Sequence, residues 1–137
     1  MSHATIPANL VTEFPPAPSQ EAARHFQRLL AFETDCYDVH HALGRRDAGF
    51  VLLDVRSAEA YAAGHVPHAI NLPNRKITEA GLAGYAPDTL FVVYCSGPHC
   101  NGADRAALRL AQLGRPVKKM LGGIAGWRYE GYDVATG

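Results

Sequence analysis

The chain has little of what marks several function classes. It carries three cysteines among 137 residues, an odd number that does not suit a disulfide framework, so a reducing, cytoplasmic setting is expected. Charge of either sign is not in surplus: 13 Lys and Arg stand against 13 Asp and Glu. That balance argues against nucleic acid or an anionic membrane as a partner. No apolar run reaches membrane-spanning length. No basic segment leading into an apolar stretch opens the chain, so no secretory signal is expected. Internal repeats and low-complexity segments are absent too. The hydrophobic share of 47% is ordinary, and this length suits one domain with a sizeable core.

One stretch carries chemistry: Cys95-Ser96-Gly97-Pro98-His99-Cys100-Asn101-Gly102-Ala103. Leu90–Tyr94 before it is apolar, aromatic and β-branched, the pattern of a buried strand. Asp104–Leu113 after it repeats leucine and alanine at helical spacing and stops at Gly114. A cysteine therefore leaves a strand and faces a helix start, whose unpaired N–H groups and positive dipole end favour a thiolate. Lowering a thiol pKa in this way makes a nucleophile near neutral pH. Gly97 and Gly102 suggest close backbone approach with amides aimed inward; plain turn punctuation is the alternative. For Cys95 the alternative is a small buried hydrophobe, and the strand-loop-helix setting favours the nucleophile.

The rest of the chain alternates strand and helix signals. Residues 1–33 are expected to form an arm, broken by Phe14-Pro15-Pro16-Ala17-Pro18, and a helix from Ser19 to about Glu33 packed on a domain of residues 34–137. Thr34–Tyr37 reads as a short strand that places Cys36 in the core, and Asp38 as the cap of a helix to about Arg46. Phe50–Val55 is a strand, and Ser57 caps a short helix through Tyr61. A turn at Gly64–His68 leads to a strand at Ala69–Leu72. Thr78 to about Tyr85 suggests a helix weakened by Gly81 and Gly84. Val117–Leu121 is the last strand, followed by a Gly122-Gly123 turn and a helix at Ile124–Tyr129. Such alternation predicts an α/β fold, a parallel sheet covered on both faces, with ligands at the carboxyl ends of the strands. Cys95 falls at one of those ends.

Leu53-Asp54-Val55-Arg56, then Glu59, Tyr61, Gly64-His65-Val66-Pro67, Ala69, Asn71 and Pro73, resemble the N-terminal signature of the rhodanese (sulfurtransferase) superfamily. Leu121-Gly122-Gly123-Ile124-Ala125-Gly126-Trp127, with Gly131-Tyr132-Asp133-Val134, resembles its C-terminal signature. The cysteine loop lies at the spacing of that family. The resemblance implies a single-domain rhodanese, with a central five-stranded, mostly parallel sheet flanked by helices. It implies that Cys95 is catalytic and that residues 96–103 cradle its persulfide with backbone N–H groups. Asp54, Arg56, Glu59 and His65 are implied to be mainly structural, with Asp54 and Arg56 anchoring a strand end by hydrogen bonds and an ion pair. Trp127 is expected to pack under the Gly122-Gly123 turn. The implied chemistry moves a sulfane sulfur from thiosulfate or a persulfide to a thiol, cyanide or protein acceptor, with no cofactor.

In the family, the sixth loop position often carries Arg; here it is Cys100, followed by Asn101. That leaves Arg105 or Arg75-Lys76 as cations from outside the loop. It also disfavours a phosphatase or arsenate-reductase relative, which needs Arg to clamp an oxyanion. Two readings stay open beside the sulfurtransferase: a thiol-redox or sulfide-signalling protein using Cys95 and Cys100, and a non-catalytic binding module. Cys95, His99 and Cys100 do not match a zinc spacing, so no metal is expected. His99 is read as solvent-facing, and Lys118-Lys119 as a solvated pair at a strand edge.

Overall fold

The structure, a computed structural model, describes residues 9–137. The chain divides into two compact units, one ending at Leu30 and the other running Ala31–Gly137. The first unit contains a turn in which the Asn9 side chain accepts the Val11 and Thr12 N–H groups at 2.9 and 3.1 Å. It also holds most of helix α1, Ser19–Phe32.

The second unit is the expected α/β sandwich. Its strands are β1 (Glu33–Asp35), β2 (Val51–Asp54), β3 (Ile70–Asn71), β4 (Phe91–Tyr94) and β5 (Val117–Leu121). They form one sheet in the order β1-β5-β4-β2-β3, and every pairing is parallel. Helices α2 (Cys36–Leu43), α3 (Ala58–Ala63), α4 (Gly102–Gln112) and α5 (Gly123–Tyr129) make the connections, with one 3-10 turn at Asn74–Lys76. Among the described residues no helix is long and apolar enough to cross a membrane.

Successive side chains of a strand point to opposite faces, and β4 sorts the core in that way. Phe91, Val93 and Cys95 join Leu53, Val55 and the α4 residues Ala103, Ala106 and Leu110 in one buried cluster. Val92 and Tyr94 join Leu52, Val66, Met120, Ile124 and Trp127 in the other. Each large apolar side chain buried this fully contributes roughly 1.5–3 kcal/mol. Central strands covered on both faces thus explain the unbroken apolar run at Leu90–Tyr94.

Four local expectations are corrected. Cys36 is buried, as expected, but it opens α2 rather than sitting on a strand. The cap is Asp35, not Asp38: the Asp35 carboxylate accepts the Asp38 N–H at 2.8 Å, which starts the helix early and ends β1. Thr78–Tyr85 forms a series of turns rather than a helix. There the Thr78 hydroxyl accepts the Gly81 N–H at 3.0 Å, and the Arg115 guanidinium donates to the carbonyls of Leu82, Tyr85 and Ala86. Glycines at 81 and 84 already disfavour the helix, and Arg115 pairs carbonyls at the end of the segment that have no helical partner. Finally, Lys118-Lys119 is not at an edge, since β5 lies between β1 and β4.

Candidate active site

The parity of β4 aims Cys95 at the α4 side of the sheet, where the residue is 8% exposed. The chain then turns sharply. The Cys100 N–H donates to the Gly97 carbonyl at 3.1 Å, with Pro98 second in the turn, where its fixed φ fits. That turn brings Cys100 back on Cys95, so the two Sγ atoms lie 2.9 Å apart. Gly102 makes this approach sterically available: a Cβ there would lie 2.6 Å from Cys95 Sγ and 3.4 Å from Cys100 Sγ. Its N–H donates to Cys100 Sγ at 3.4 Å.

The opposite wall comes from the far end of the sequence. Gly122 and Gly123 adopt positive φ of 91° and 59°. A Cβ on Gly123 would lie 2.5 Å from the Cys95 carbonyl oxygen and 2.8 Å from the Gly97 nitrogen, so only glycine lets the two segments meet. Just beyond, the first turn of α5 donates Ile124 N–H to Cys95 O at 3.0 Å and Ala125 N–H to Ser96 O at 2.9 Å. Orphan donors of a helix start therefore hold the loop backbone in place. Between these walls lies a concavity of about 250 Å³ onto which Cys95, Pro98, Cys100, Lys119 and Gly123 open.

Electrostatics within the pair correct the expectation of a lowered Cys95. Burial pushes the Cys95 thiol up, and the hydrogen bond it gives to Cys100 adds to this; Ser96 opposes both through its N–H and hydroxyl. Cys100 is lowered, first by accepting from Cys95 and then by the Gly102 N–H. The two shifts run in opposite directions within the pair, and Cys100 is the exposed partner. The third thiol, Cys36, is pushed up to about 11 by burial and by Asp35 and Glu130. Its S–H faces the carbonyls of Leu121 and Gly123 at 3.4 and 3.8 Å, behind the glycine wall.

The remaining singled-out residues fall into distinct places. Asp54 is fully buried and takes the Arg56 Nη2 at 2.7 Å, while Arg56 also donates to the Gly64 carbonyl. His65 is buried, stacks on Tyr61 at 3.7 Å and has Nδ1 2.8 Å from the Tyr61 carbonyl. Glu59 is exposed in the first turn of α3. Trp127 is buried in the other cluster, its Nε1–H donating to the Asp133 carbonyl at 2.8 Å. His99 is exposed, and Asn101 accepts Arg105 Nε at 3.2 Å. Ala103 packs into the α4 core.

Neither Arg105 nor Arg75-Lys76 opens onto the concavity. The cation that does is Lys119, whose Nζ lies 2.8 Å from Asp104 Oδ1. Sequence reasoning missed this residue because it placed β5 at an edge. It also missed Tyr94, although Tyr94 and Asp54 share a pleat face. Asn74 was missed as well; its Nδ2 donates to the Gly102 carbonyl at 3.0 Å and fixes the start of α4 from the neighbouring connection. Among the described residues no group of three or more His, Cys, Asp or Glu is placed to hold a metal ion.

The fold is shared with known proteins. Residues 35–130 match the profile of a family described as Rhodanese-like domain. The BH2092 protein from Bacillus halodurans has a solved structure similar to this one, with TM-score 0.84 and 40% identity over 87% of each chain. A thiosulfate sulfurtransferase from Pseudomonas aeruginosa is similar at TM-score 0.61 and 27% identity, over 85% of this chain and 21% of that one. The HTH-type transcriptional regulator Rv0324 of Mycobacterium tuberculosis is 42% identical over 96 residues, which are 69% of this chain. The chain spans 42% of the length of that regulator. With the family profile running from the end of β1 to just past α5, over a loop that opens on Cys95, the chain belongs to the rhodanese-like domain family.

Proposed function

We propose that the protein is a sulfurtransferase that carries a sulfane sulfur on Cys95. The observation that carries this reading is the placement of Cys95 at the carboxyl end of β4, open to the concavity, with Cys100 2.9 Å away to take its proton. As the S–H proton passes to the Cys100 thiolate, Cys95 Sγ attacks the outer sulfur of the donor. From thiosulfate this gives the persulfide anion Cys95-S-S⁻ and sulfite; from a persulfide anion it gives Cys95-S-S⁻ and a thiolate. A thiol, cyanide or a thiol on a protein acceptor then removes the outer sulfur, and Cys95 returns to its starting state. The sulfur rides on the cysteine itself, so the cycle needs no cofactor and no metal. A cytoplasmic location suits a chemistry that depends on reduced thiols.

Donor preference follows from charge. The Lys119 ammonium is already paired with Asp104, and the loop carries no guanidinium. Backbone amides and the α4 dipole must therefore hold the anion, which favours a singly charged persulfide over doubly charged thiosulfate. The same lack of a clamping cation speaks against phosphoryl or arsenate chemistry.

The 42% identity to part of a transcriptional regulator favours a second reading, a module whose loop signals sulfur or redox state instead of turning over. Steady-state thiocyanate formation from glutathione persulfide and cyanide separates the two. Repeated turnover that vanishes in Cys95→Ser supports the enzyme, whereas a single sulfur taken up without turnover supports the module. Absence of sulfur uptake from any sulfane donor overturns the proposal.

A further inference from the structure

The loop places a second thiol where a carrier of sulfur does not require one. Cys100 Sγ is 2.9 Å from Cys95 Sγ, against a bonded separation of about 2 Å. The contact is made to Cys95 Sγ, the inner sulfur of the future persulfide. Two backbone features impose it: the Gly97–Cys100 turn, and a glycine at 102 that leaves room between the thiols. No disulfide joins them, and Cys100 is the exposed partner.

Resting on the sulfurtransferase reading, we infer that Cys100 is a resolving thiol that attacks Cys95 Sγ in the persulfide, closes a Cys95–Cys100 disulfide and releases the outer sulfur as hydrosulfide. The bond formed is Sγ–Sγ; the bond broken is that between Cys95 Sγ and the outer sulfur. The sulfane sulfur gains two electrons, which the two cysteines supply as they become a disulfide, and the proton that Cys100 took from Cys95 leaves with the hydrosulfide. A cellular thiol or dithiol then reduces the disulfide by exchange. Over a full cycle the protein reduces a sulfane donor to sulfide at the expense of thiols. The favoured substrate class is a low-molecular-weight persulfide, and the built-in thiol competes with any external acceptor. Cys100, the attacking sulfur, is the exposed thiol of the pair and the one whose pKa is lowered.

The test is made anaerobically, so that no outside oxidant forms the disulfide. Reduced wild type, Cys100→Ser and Cys100→Ala are each given glutathione persulfide, freed of small thiols and followed by intact mass and hydrosulfide release. Wild type is expected to end as a protein lighter by two hydrogens, with one hydrosulfide released per chain and a Cys95–Cys100 peptide pair in the digest. Both variants are expected to accumulate the mass of one added sulfur and release none. A wild type that keeps its added sulfur as the variants do overturns the inference and leaves the sulfurtransferase standing. Sulfur that moves to Cys100 without loss of hydrosulfide overturns it equally. Failure of all three proteins to take up sulfur removes the sulfurtransferase reading, and this inference with it.

Discussion

The Tyr94 hydroxyl donates to Asp54 Oδ2 at 2.7 Å, in the layer opposite to the one Cys95 faces. The same hydroxyl accepts the Val66 N–H at 3.0 Å, and Arg56 occupies the remaining side of the carboxylate. One phenol thus ties the last residue of β4 to the end of β2 and to the turn that precedes β3. The residue next to the nucleophile is held from behind the sheet.

Removing that hydroxyl leaves the Val66 N–H without its partner in a fully buried site. Tyr94→Phe is expected to cost about 1–3 kcal/mol of stability, read by chemical denaturation. Sulfur uptake should slow as well, because the ends of β4 and β2 lose their common tie. A variant as stable as wild type would show that this network does not anchor the loop.

Gly123→Ala tests the second wall. The left-handed conformation costs a non-glycine residue about 1–2 kcal/mol, and the added methyl would press on the Cys95 carbonyl and the Gly97 nitrogen. The loop must shift, so the expected result is a loss above about 2 kcal/mol together with loss of most sulfur uptake. Gly84→Ala is the control, since a Cβ there meets nothing within 4 Å. It should leave both measurements near wild type.

Thiol reactivity reports the shared proton. Cys100 lies below the usual thiol range and is exposed, so iodoacetamide should modify it first as pH rises. Cys36, pushed up to about 11, should react only after denaturation. The sign for Cys95 follows from its partner. Cys100 accepts the Cys95 S–H and adds negative charge, and both effects raise Cys95. Cys100→Ser removes them, so the pH midpoint of Cys95 alkylation should fall. A midpoint that rises would mean that Cys100 stabilises the Cys95 thiolate instead.

How far the sequence revealed all this depended on the range of the interaction. The buried strand at Leu90–Tyr94 was legible from its apolar run, and the Ser57 cap from its position; its hydroxyl accepts the Ala60 N–H at 3.2 Å. The alternation of elements gave the parallel sheet, and with it the end of β4 as the place for Cys95. Asp35 and Asp38 were indistinguishable as caps, because either carboxylate starts a helix when the chain turns there. The turns at Thr78–Tyr85 are tied down by Arg115, some 30 residues on and out of reach of a local pattern. Most consequential was the thiol pair. A helix start predicts a lowered Cys95, but burial under the sheet and the returning Cys100 reverse the direction. The return rests on the Gly97–Cys100 turn and on the close fit of Gly102 against both thiols, which spacing alone does not show.

The central claim is that Cys95 takes up a sulfane sulfur. It is tested most directly by the mass of the Cys95 peptide after glutathione persulfide, followed from the earliest times and mapped in Cys100→Ser, where the added sulfur has no neighbouring thiol to expel it. One added sulfur on Cys95, none on Cys36, and none anywhere in Cys95→Ser is the expected result. A Cys95 peptide of unchanged mass in folded Cys100→Ser, with no sulfide or disulfide formed in wild type, would contradict the account.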